Sequence, residues 1–293
     1  MRNPRRCSAA LLVSFLASVL ASGGLTACAS TRLLRQAAEL NVRGATQLAH
    51  GDLVGAEASF QVALEYNERF AEPHNNLGLV ALAQGRIADA RTHFRHAIAR
   101  NRDFAEAWSN LGLALAREDR ARNVSADAVE SEHAFTEALS INPGLVEPRL
   151  NLVRALLAHG RAADALRHAR RLVQLASTMA IAHSLRAEAA LALGEGVEAL
   201  NASAEALRID AADGDVRMVS ARVDLVRGAI DEAFATLSGL TDDPRLGRDA
   251  HALLAAAHAS RGDTASALRE IQAMGPGAGD HPAAARVLRG LGR

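Results

Sequence analysis

The sequence predicts an all-α fold built from repeated pairs of antiparallel helices, and three observations support that prediction. First, residues 71–82 read AEPHNNLGLVAL and residues 105–115 read AEAWSNLGLAL, so nearly the same segment recurs after 34 residues. Second, Ala and Leu, which favour helices, dominate the composition, and only seven Pro occur in 293 residues. Third, Gly recurs at fixed places where a helix has to end, as in helix–turn–helix units.

The amino-terminal segment predicts a lipoprotein signal peptide over residues 1–27. It has three Arg and no acidic residue, followed by an apolar stretch from Ala9 to Leu20 that is too short for a spanning helix. The closing LTAC of residues 25–28 resembles the lipobox of bacterial lipoproteins, which implies cleavage before Cys28 and acylation of its thiol. Residues 28–36 are then a lipidated terminus with a short linker. The alternatives are an ordinary secretory signal and an uncleaved membrane anchor.

One repeat phase fits the chain from residue 37 to residue 281, with seven extra residues in the third unit. Position 20 of the unit is Ala in six of the seven repeats, and position 15 is Gly in six. Small residues at such positions let two helices approach closely, and Gly allows the first helix to end in a left-handed turn. The predicted repeats are 37–70, 71–104, 105–145, 146–179, 180–213, 214–247 and 248–281.

This pattern resembles the tetratricopeptide repeat, which places W, L, G, Y, A, F, A and P at positions 4, 7, 8, 11, 20, 24, 27 and 32. The resemblance implies a right-handed α-solenoid of about seven helix–turn–helix repeats, closed by a capping helix over residues 282–293. Units 5 and 6 fit less well, because Arg186 and Ser220 occupy position 7, where Leu is expected.

The seven extra residues of unit 3 fall within the charged stretch from Arg117 to Glu130, REDRARNVSADAVE. This stretch lacks Leu and has no repeat counterpart. We expect it to lengthen the loop between the two helices of that unit.

Motifs that would indicate catalysis are absent from the sequence. No nucleophile elbow, glycine-rich phosphate loop or HExxH segment occurs, so we expect no enzyme activity, no catalytic residue and no cofactor. His93 and His96 have a spacing that can hold a metal, but no third ligand is evident, and a solvated helix face with no metal is the prediction. His74, His183 and His251 share position 4, where we expect them to pack between helices.

Candidate binding residues follow positions 2, 6, 9 and 13, which form one stripe on the first helix of each unit. By resemblance to the family, this stripe faces a concave groove that holds a peptide by its backbone through Asn amides. The alternative is that Asn before Leu-Gly is simply common in such repeats and that Glu at position 2 favours helix starts. The candidates are Glu72, Asn75, Asn76, Glu106, Asn110, Arg117, Glu147, Asn151 and Arg154.

The net charge and the predicted lipid anchor restrict the class of partner. The formal net charge is zero, and a chain that begins at Cys28 is slightly acidic, which argues against nucleic acid as a partner. We therefore predict a protein or peptide partner and a membrane contact through the lipid.

The expected function is that of a protein–protein interaction scaffold on the outer membrane, facing the periplasm. Its build is similar to that of the pilotin and assembly lipoproteins of type IV and Tad pili, which serve secretins. The alternatives are an adaptor for cell-envelope hydrolases and a regulatory subunit of a glycosyltransferase or polysaccharide-export system.

Overall fold

The computed structural model describes residues 31–122 and 128–292. Over these ranges the chain forms fifteen α-helices and one 3-10 turn, with no β-strand, which confirms the all-α prediction. The helices group into two compact units, of which the first ends at Asn142 and the second begins at Pro143. No helix in the described part is both long enough and apolar enough to cross a membrane. The predicted signal peptide and Cys28 lie outside the described residues.

The first unit consists of three antiparallel helix pairs, in which each odd-numbered helix is followed by its even-numbered partner. These helices are α1 (31–49), α2 (Leu53–Tyr66), α3 (Ala71–Ala83), α4 (Ile87–Arg100), α5 (Ala105–Arg122) and α6 (Ala128–Ile141).

The second unit continues the same alternation. Its helices are α7 (Val146–Ala158), α8 (Ala162–Leu175), α9 (Ala180–Ala192), α10 (Gly196–Ile209), α11 (Gly214–Val226), α12 (Ile230–Ser238), α13 (Gly247–Ser260), α14 (Thr264–Ala273) and α15 (Pro282–Gly290), with a 3-10 turn at Ala278–Asp280 before α15.

The turn inside each pair is set by the glycine at position 15. At Gly85, φ is +75°, and the N–H groups of Gly85 and Arg86 donate to the carbonyls of Leu82 and Ala81 at 3.1 and 2.8 Å. This Schellman motif satisfies carbonyls that the end of α3 leaves open, in a conformation that a side chain would strain. The same positive φ recurs at Gly51, Gly160, Gly194, Gly228 and Gly262, which confirms the predicted role of this glycine.

The two helices of a pair pack through positions 8, 20 and 24. The Ala residues at position 20 are 0% exposed in all six repeats that carry one, which confirms that they sit in helix contacts. In the first three repeats a buried Phe at position 24 lies over a Gly at position 8. A Cβ on Gly44 or on Gly112 would lie only 2.6 Å from the ring of Phe60 or Phe135. The glycines of these repeats therefore make room for the rings.

The structure differs from the prediction in the charged stretch of residues 117–130. Helix α5 continues to Arg122 and has 18 residues, whereas α3 has 13, and α6 begins at Ala128. Residues 117–122 and 128–130 of the stretch are therefore helical and are not part of a loop. The physical reason is that repeat position 15 holds Asp119 here, so no glycine ends the helix, and the Ala, Arg and Glu residues around it favour helix.

The expected linker before residue 37 also differs, because residues 31–36 are already part of α1. These residues are good helix formers, and Arg35 pairs with Glu39 one turn later at 2.9 Å. The helix therefore starts close to Cys28 in the sequence.

The carboxyl end is closed by α15, as predicted from its amphipathic sequence. Ala284 and Val287 are buried against Ala252, Ala255 and Ile271 of the preceding helices, while Arg286 and Arg289 are exposed. A helix with one apolar face and one charged face ends the array without exposing its core.

Candidate protein-binding site

Four asparagines on the first helices of successive pairs form a hydrogen-bonded ladder. Asn76 Nδ2 on α3 donates to Asn41 Oδ1 on α1 at 3.0 Å, and Asn110 Nδ2 on α5 donates to Asn75 Oδ1 on α3 at 2.9 Å. Within α3, Asn75 Nδ2 lies 3.5 Å from Asn76 Oδ1. Each step between helices joins position 5 of one repeat to position 6 of the next, so the ladder crosses α1, α3 and α5. We call these four residues the asparagine ladder.

The ladder changes what these side chains can offer to a partner. The hypothesis from sequence treated every amide as open, but the inter-helix bonds use one N–H of Asn76 and one of Asn110. An amide has two N–H donors and an oxygen that accepts twice, so both residues keep capacity for further bonds. Asn76 and Asn110 are half-buried, whereas Asn75 is only 6% exposed. Asn75 therefore orients Asn110 and is itself out of a partner's reach.

Asn41 is a member of the ladder that sequence reasoning missed. It lies at position 5 of the first repeat, one residue before the stripe of positions 2, 6, 9 and 13. The signal in the sequence is that Asn75 occupies the same position in the next repeat, which allows position 5 of one repeat to pair with position 6 of the next.

The charged candidate residues of the first unit are exposed to solvent. Glu72 and Glu106 are exposed in the first turns of α3 and α5, and Arg117 is exposed farther along α5. None of the three has an ion-pair partner among the described side chains. Two unpaired carboxylates thus lie on the same two helices as Asn76 and Asn110, the half-buried members of the ladder.

The remaining candidates belong to the second unit. Glu147 and Arg154 are exposed on α7, and Asn151 is half-buried on the same helix. Glu147 and Asn151 are four residues apart, as are Glu72 and Asn76, but Arg154 lies at repeat position 9 whereas Arg117 lies at position 13. Within the first unit, the structure brings Asn75, Asn76 and Asn110 into one hydrogen-bonded group.

The predicted absence of a third ligand near His93 and His96 is wrong. His74, at position 4 on α3, faces these two histidines of α4, and one ring nitrogen from each of the three lies within 4.8 Å of the others. Burial lowers the pKa of His74 to about 4, with further lowering from the neighbouring His96 and His93. Burial also lowers the pKa of His93, whereas the His96 side chain is exposed. Sequence periodicity placed His93 and His96 on a solvated face without considering the facing helix.

A cavity of about 760 Å³ lies between α4, α5 and α6, and sequence reasoning did not predict it. Its lining includes Trp108, whose indole N–H donates to the carbonyl of Arg102 at 3.0 Å and whose ring meets that of His133 at 5.9 Å. Arg95 and Glu130 form an ion pair at the same cavity. The single Trp of the chain, at repeat position 4, was the available signal.

Comparisons with known proteins agree with the helix pairing. Residues 75–138 and 150–215 match the tetratricopeptide repeat family. No curated protein matches the sequence significantly.

Solved structures match with low identity. A tetratricopeptide repeat protein from Parabacteroides merdae is 14% identical, with 87% of this chain and 98% of that chain covered and a TM-score of 0.62. The pilF protein of Pseudomonas aeruginosa is 19% identical over 70% of this chain and 90% of its own, with a TM-score of 0.59. YrrB, a tetratricopeptide repeat protein with an unusual peptide-binding site, is 18% identical over 73% and 97%, with a TM-score of 0.53.

At these identities the similarity concerns the fold alone. The fold similarity agrees with the family match, with the glycine turns and with the buried alanines at position 20. Together they identify the helix pairs as tetratricopeptide repeats. Residues 75–138 and 150–215 belong to the tetratricopeptide repeat family, whose repeats are scaffolds for protein–protein interaction.

Proposed function

We propose that the protein is a lipid-anchored scaffold of the outer membrane, facing the periplasm, which holds a segment of a partner protein against the asparagine ladder. The observation that carries the proposal is the ladder itself. It aligns Asn76 and Asn110 on neighbouring helices and fixes their amides by bonds to Asn41 and Asn75.

The physical argument concerns both chemistry and entropy. An amide presents a donor and an acceptor together, so it pairs with a peptide backbone regardless of that peptide's side chains. Because neighbouring rungs already orient Asn76 and Asn110, less rotamer freedom is lost when a partner binds. Each bond to the partner contributes about 0.5–1.5 kcal/mol.

The surroundings define the partner segment further. Leu79 and Leu113, three residues after Asn76 and Asn110, are only half-buried. Val42 on α1 is 65% exposed. Glu72 and Glu106 add negative charge on the same helices. The expected partner is therefore an extended or helical segment that combines apolar residues with Arg or Lys.

Lipidation at Cys28 places this surface close to the membrane. Two residues, Ala29 and Ser30, lie between Cys28 and Thr31, the first described residue of α1, and three steps along the chain reach at most about 11 Å. A partner would thus bind to α1, α3 and α5 close to the bilayer, which an outer-membrane protein reaches during its assembly.

The specific role we favour is assembly of a pilus or secretin. Its support is the lipobox resemblance together with the fold similarity to pilF of Pseudomonas aeruginosa. Recovery of cell-envelope hydrolases, or of a glycosyltransferase or polysaccharide-export proteins, would instead favour one of the two alternatives.

The test is affinity capture from membranes with an Asn76→Ala, Asn110→Ala double variant. Loss of the Asn76 and Asn110 amides should reduce the yield of the bound partner several-fold, while circular dichroism shows unchanged helicity. Adding Asn151→Ala to the double variant asks whether α7 contributes as well.

Asn201→Ala is the matched control, because Asn201 is an exposed asparagine in the middle of α10. It should recover partners at the wild-type yield. If the folded double variant does the same, the ladder only holds the helices together, and the cavity beside Trp108 becomes the candidate surface.

A further inference from the structure

His74, His93 and His96 are the one group of three or more histidine, cysteine, aspartate or glutamate side chains in the described part of the chain whose ligand atoms lie within 4.8 Å of one another. The His74 and His96 rings meet edge to face at 5.3 Å between centroids, and the His74 and His93 rings lie 6.4 Å apart. The three imidazoles come from two facing helices, α3 and α4.

Comparison with the other repeats indicates that packing does not require this arrangement. At position 4, Trp108, Arg149 and His183 each bond to the backbone carbonyl six residues earlier, at 3.0, 2.6 and 2.9 Å. In the last repeat, the position-4 residue His251 meets a carboxylate of Glu270 at position 23, with 2.7 Å between Nδ1 and Oε2.

The second repeat lacks such compensation. The Nδ1 atoms of His74 and His93 are buried and have no hydrogen-bond partner among the described residues. The Nδ1 atom of His183 is also buried and unpaired, but the other ring nitrogen of His183 is bonded to the Ser177 carbonyl. An unpaired buried polar atom costs free energy, so three imidazoles gathered here point to something that they bind together.

We propose that His74, His93 and His96 form a binding site for a divalent transition-metal ion of the Zn²⁺ type. The site has three imidazole ligands and no thiolate or carboxylate, a donor set that suits zinc, cobalt, nickel or copper and not calcium or magnesium. Because His96 is exposed, the fourth coordination position is open to water or to a side chain of a partner.

The required movement is small. Zinc–nitrogen bonds of about 2.0–2.1 Å in a tetrahedron place the nitrogens about 3.3 Å apart. Nitrogens that now lie within 4.8 Å of one another must each move by about 1 Å, which rotation of the side-chain torsions supplies. His93 and His96 already project from one face of α4, because they are three residues apart.

The test uses the full chain, purified from membranes in detergent and stripped with a chelator. Zn²⁺ is titrated in competition with a chromophoric chelator, and Co²⁺ is added separately to record its ligand-field absorption. We expect one tight Zn²⁺ site per chain and an intense Co²⁺ spectrum typical of tetrahedral coordination. No thiolate charge-transfer band should appear, since Cys7 and Cys28 take no part.

His96→Gln is the main variant, because an exposed residue can be replaced without disturbing the core. It should weaken Zn²⁺ binding by at least about 10-fold and abolish the tetrahedral Co²⁺ spectrum. His93→Gln should do the same. His251→Gln, which changes a position-4 histidine that is paired with Glu270, is the control and should bind Zn²⁺ as the wild type does.

Equal Zn²⁺ affinity of the wild type and His96→Gln would overturn the proposal. An equal loss in His251→Gln, or a Co²⁺ spectrum of the octahedral aqua ion, would also overturn it. None of these results bears on capture of a partner by the asparagine ladder, so this proposal and the proposed function stand or fall separately.

Discussion

At the residue scale, the size of the side chain at position 8 is coupled to the size of the side chain at position 24. Gly at position 8 goes with Phe at position 24 in the first three repeats, and each Phe is fully buried. In the sixth and seventh repeats, Ala221 and Ala255 occupy position 8, and Leu237 and Ile271 occupy position 24. In these five repeats the pair keeps a similar total volume, as close packing favours, whereas the fifth repeat pairs Ala187 with the small Ser203.

Gly78→Ala should therefore destabilise the first unit. The new methyl group would overlap the ring of Phe94, and such overpacking costs about 1–3 kcal/mol of unfolding free energy. The measurement is urea unfolding followed by circular dichroism. Combining Gly78→Ala with Phe94→Leu should recover part of the loss, since the sixth repeat already uses Ala with Leu.

Gly196→Ala is the control for this prediction. Gly196 lies at the start of α10, and a Cβ there meets nothing within 4 Å. This substitution should leave stability unchanged or raise it by up to about 1 kcal/mol through helix propensity. A Gly78→Ala variant as stable as Gly196→Ala would contradict the packing argument.

At the element scale, Glu198 on α10 ties three helices of the second unit together. Its carboxylate accepts hydrogen bonds from Arg170 on α8 and from Arg186 on α9, with Arg170 Nε and Arg186 Nε at 3.0 and 2.7 Å from Oε1. These donors, Arg170 foremost, lower the pKa of Glu198 from 4.5 to about 2. Arg186 at position 7, which departs from the repeat pattern, thus replaces a packing leucine by an inter-helix ion pair.

Glu198→Gln should make stability less dependent on acid. Because the folded-state pKa is lowered, the ionised carboxylate stabilises the folded protein above about pH 4.5 and ceases to do so as pH falls towards about 2. The difference in unfolding free energy between wild type and variant should be largest at neutral pH and shrink across that interval.

Glu232→Gln provides the comparison, since Glu232 is exposed on α12 and has no ion-pair partner in the described residues. Its stability should follow the wild type at every pH. The difference in unfolding free energy between the wild type and Glu198→Gln could instead stay constant between neutral pH and about pH 2. That result would show that the carboxylate acts only through its shape.

The sequence was sufficient to predict the helices, but not the side-chain contacts between different helices. The 34-residue period located the helix pairs, because glycine turns and buried alanines are local requirements of a helical hairpin. The pairing of Asn41 with Asn76 and the approach of His74 to His93 involve different helices, and periodicity within one helix does not report them. The extension of α5 was missed for a related reason, since only the missing glycine at Asp119 marks it.

At the scale of the whole molecule, the two units differ in what they expose. The first unit carries the asparagine ladder, the histidine cluster and the cavity beside Trp108. In the second unit, position 6 of the fifth and sixth repeats holds Leu185 and Val219, which are buried. The side chains on which the two proposed binding sites rest are therefore concentrated in the first three repeats.

Cys28→Ser tests the proposed lipid anchor at Cys28. Without its thiol, the chain cannot be acylated, so the variant should accumulate as an unprocessed precursor or leave the membrane fraction. Membrane fractionation, gel mobility and mass spectrometry of the amino-terminal peptide measure this directly. Two acyl signals hold a protein stably on a bilayer whereas one is marginal, so any chain that is cleaved without being acylated should be released almost completely.

Cys7→Ser is the control, because Cys7 lies within the predicted signal peptide, which cleavage before Cys28 would remove. It should be processed and localised as the wild type is. Outer-membrane fractionation of Cys28→Ser at the mature size would show that the chain is held there by its partner or by another segment. The asparagine ladder could then still bind its partner, but its closeness to the bilayer would no longer follow from the length of chain between Cys28 and α1.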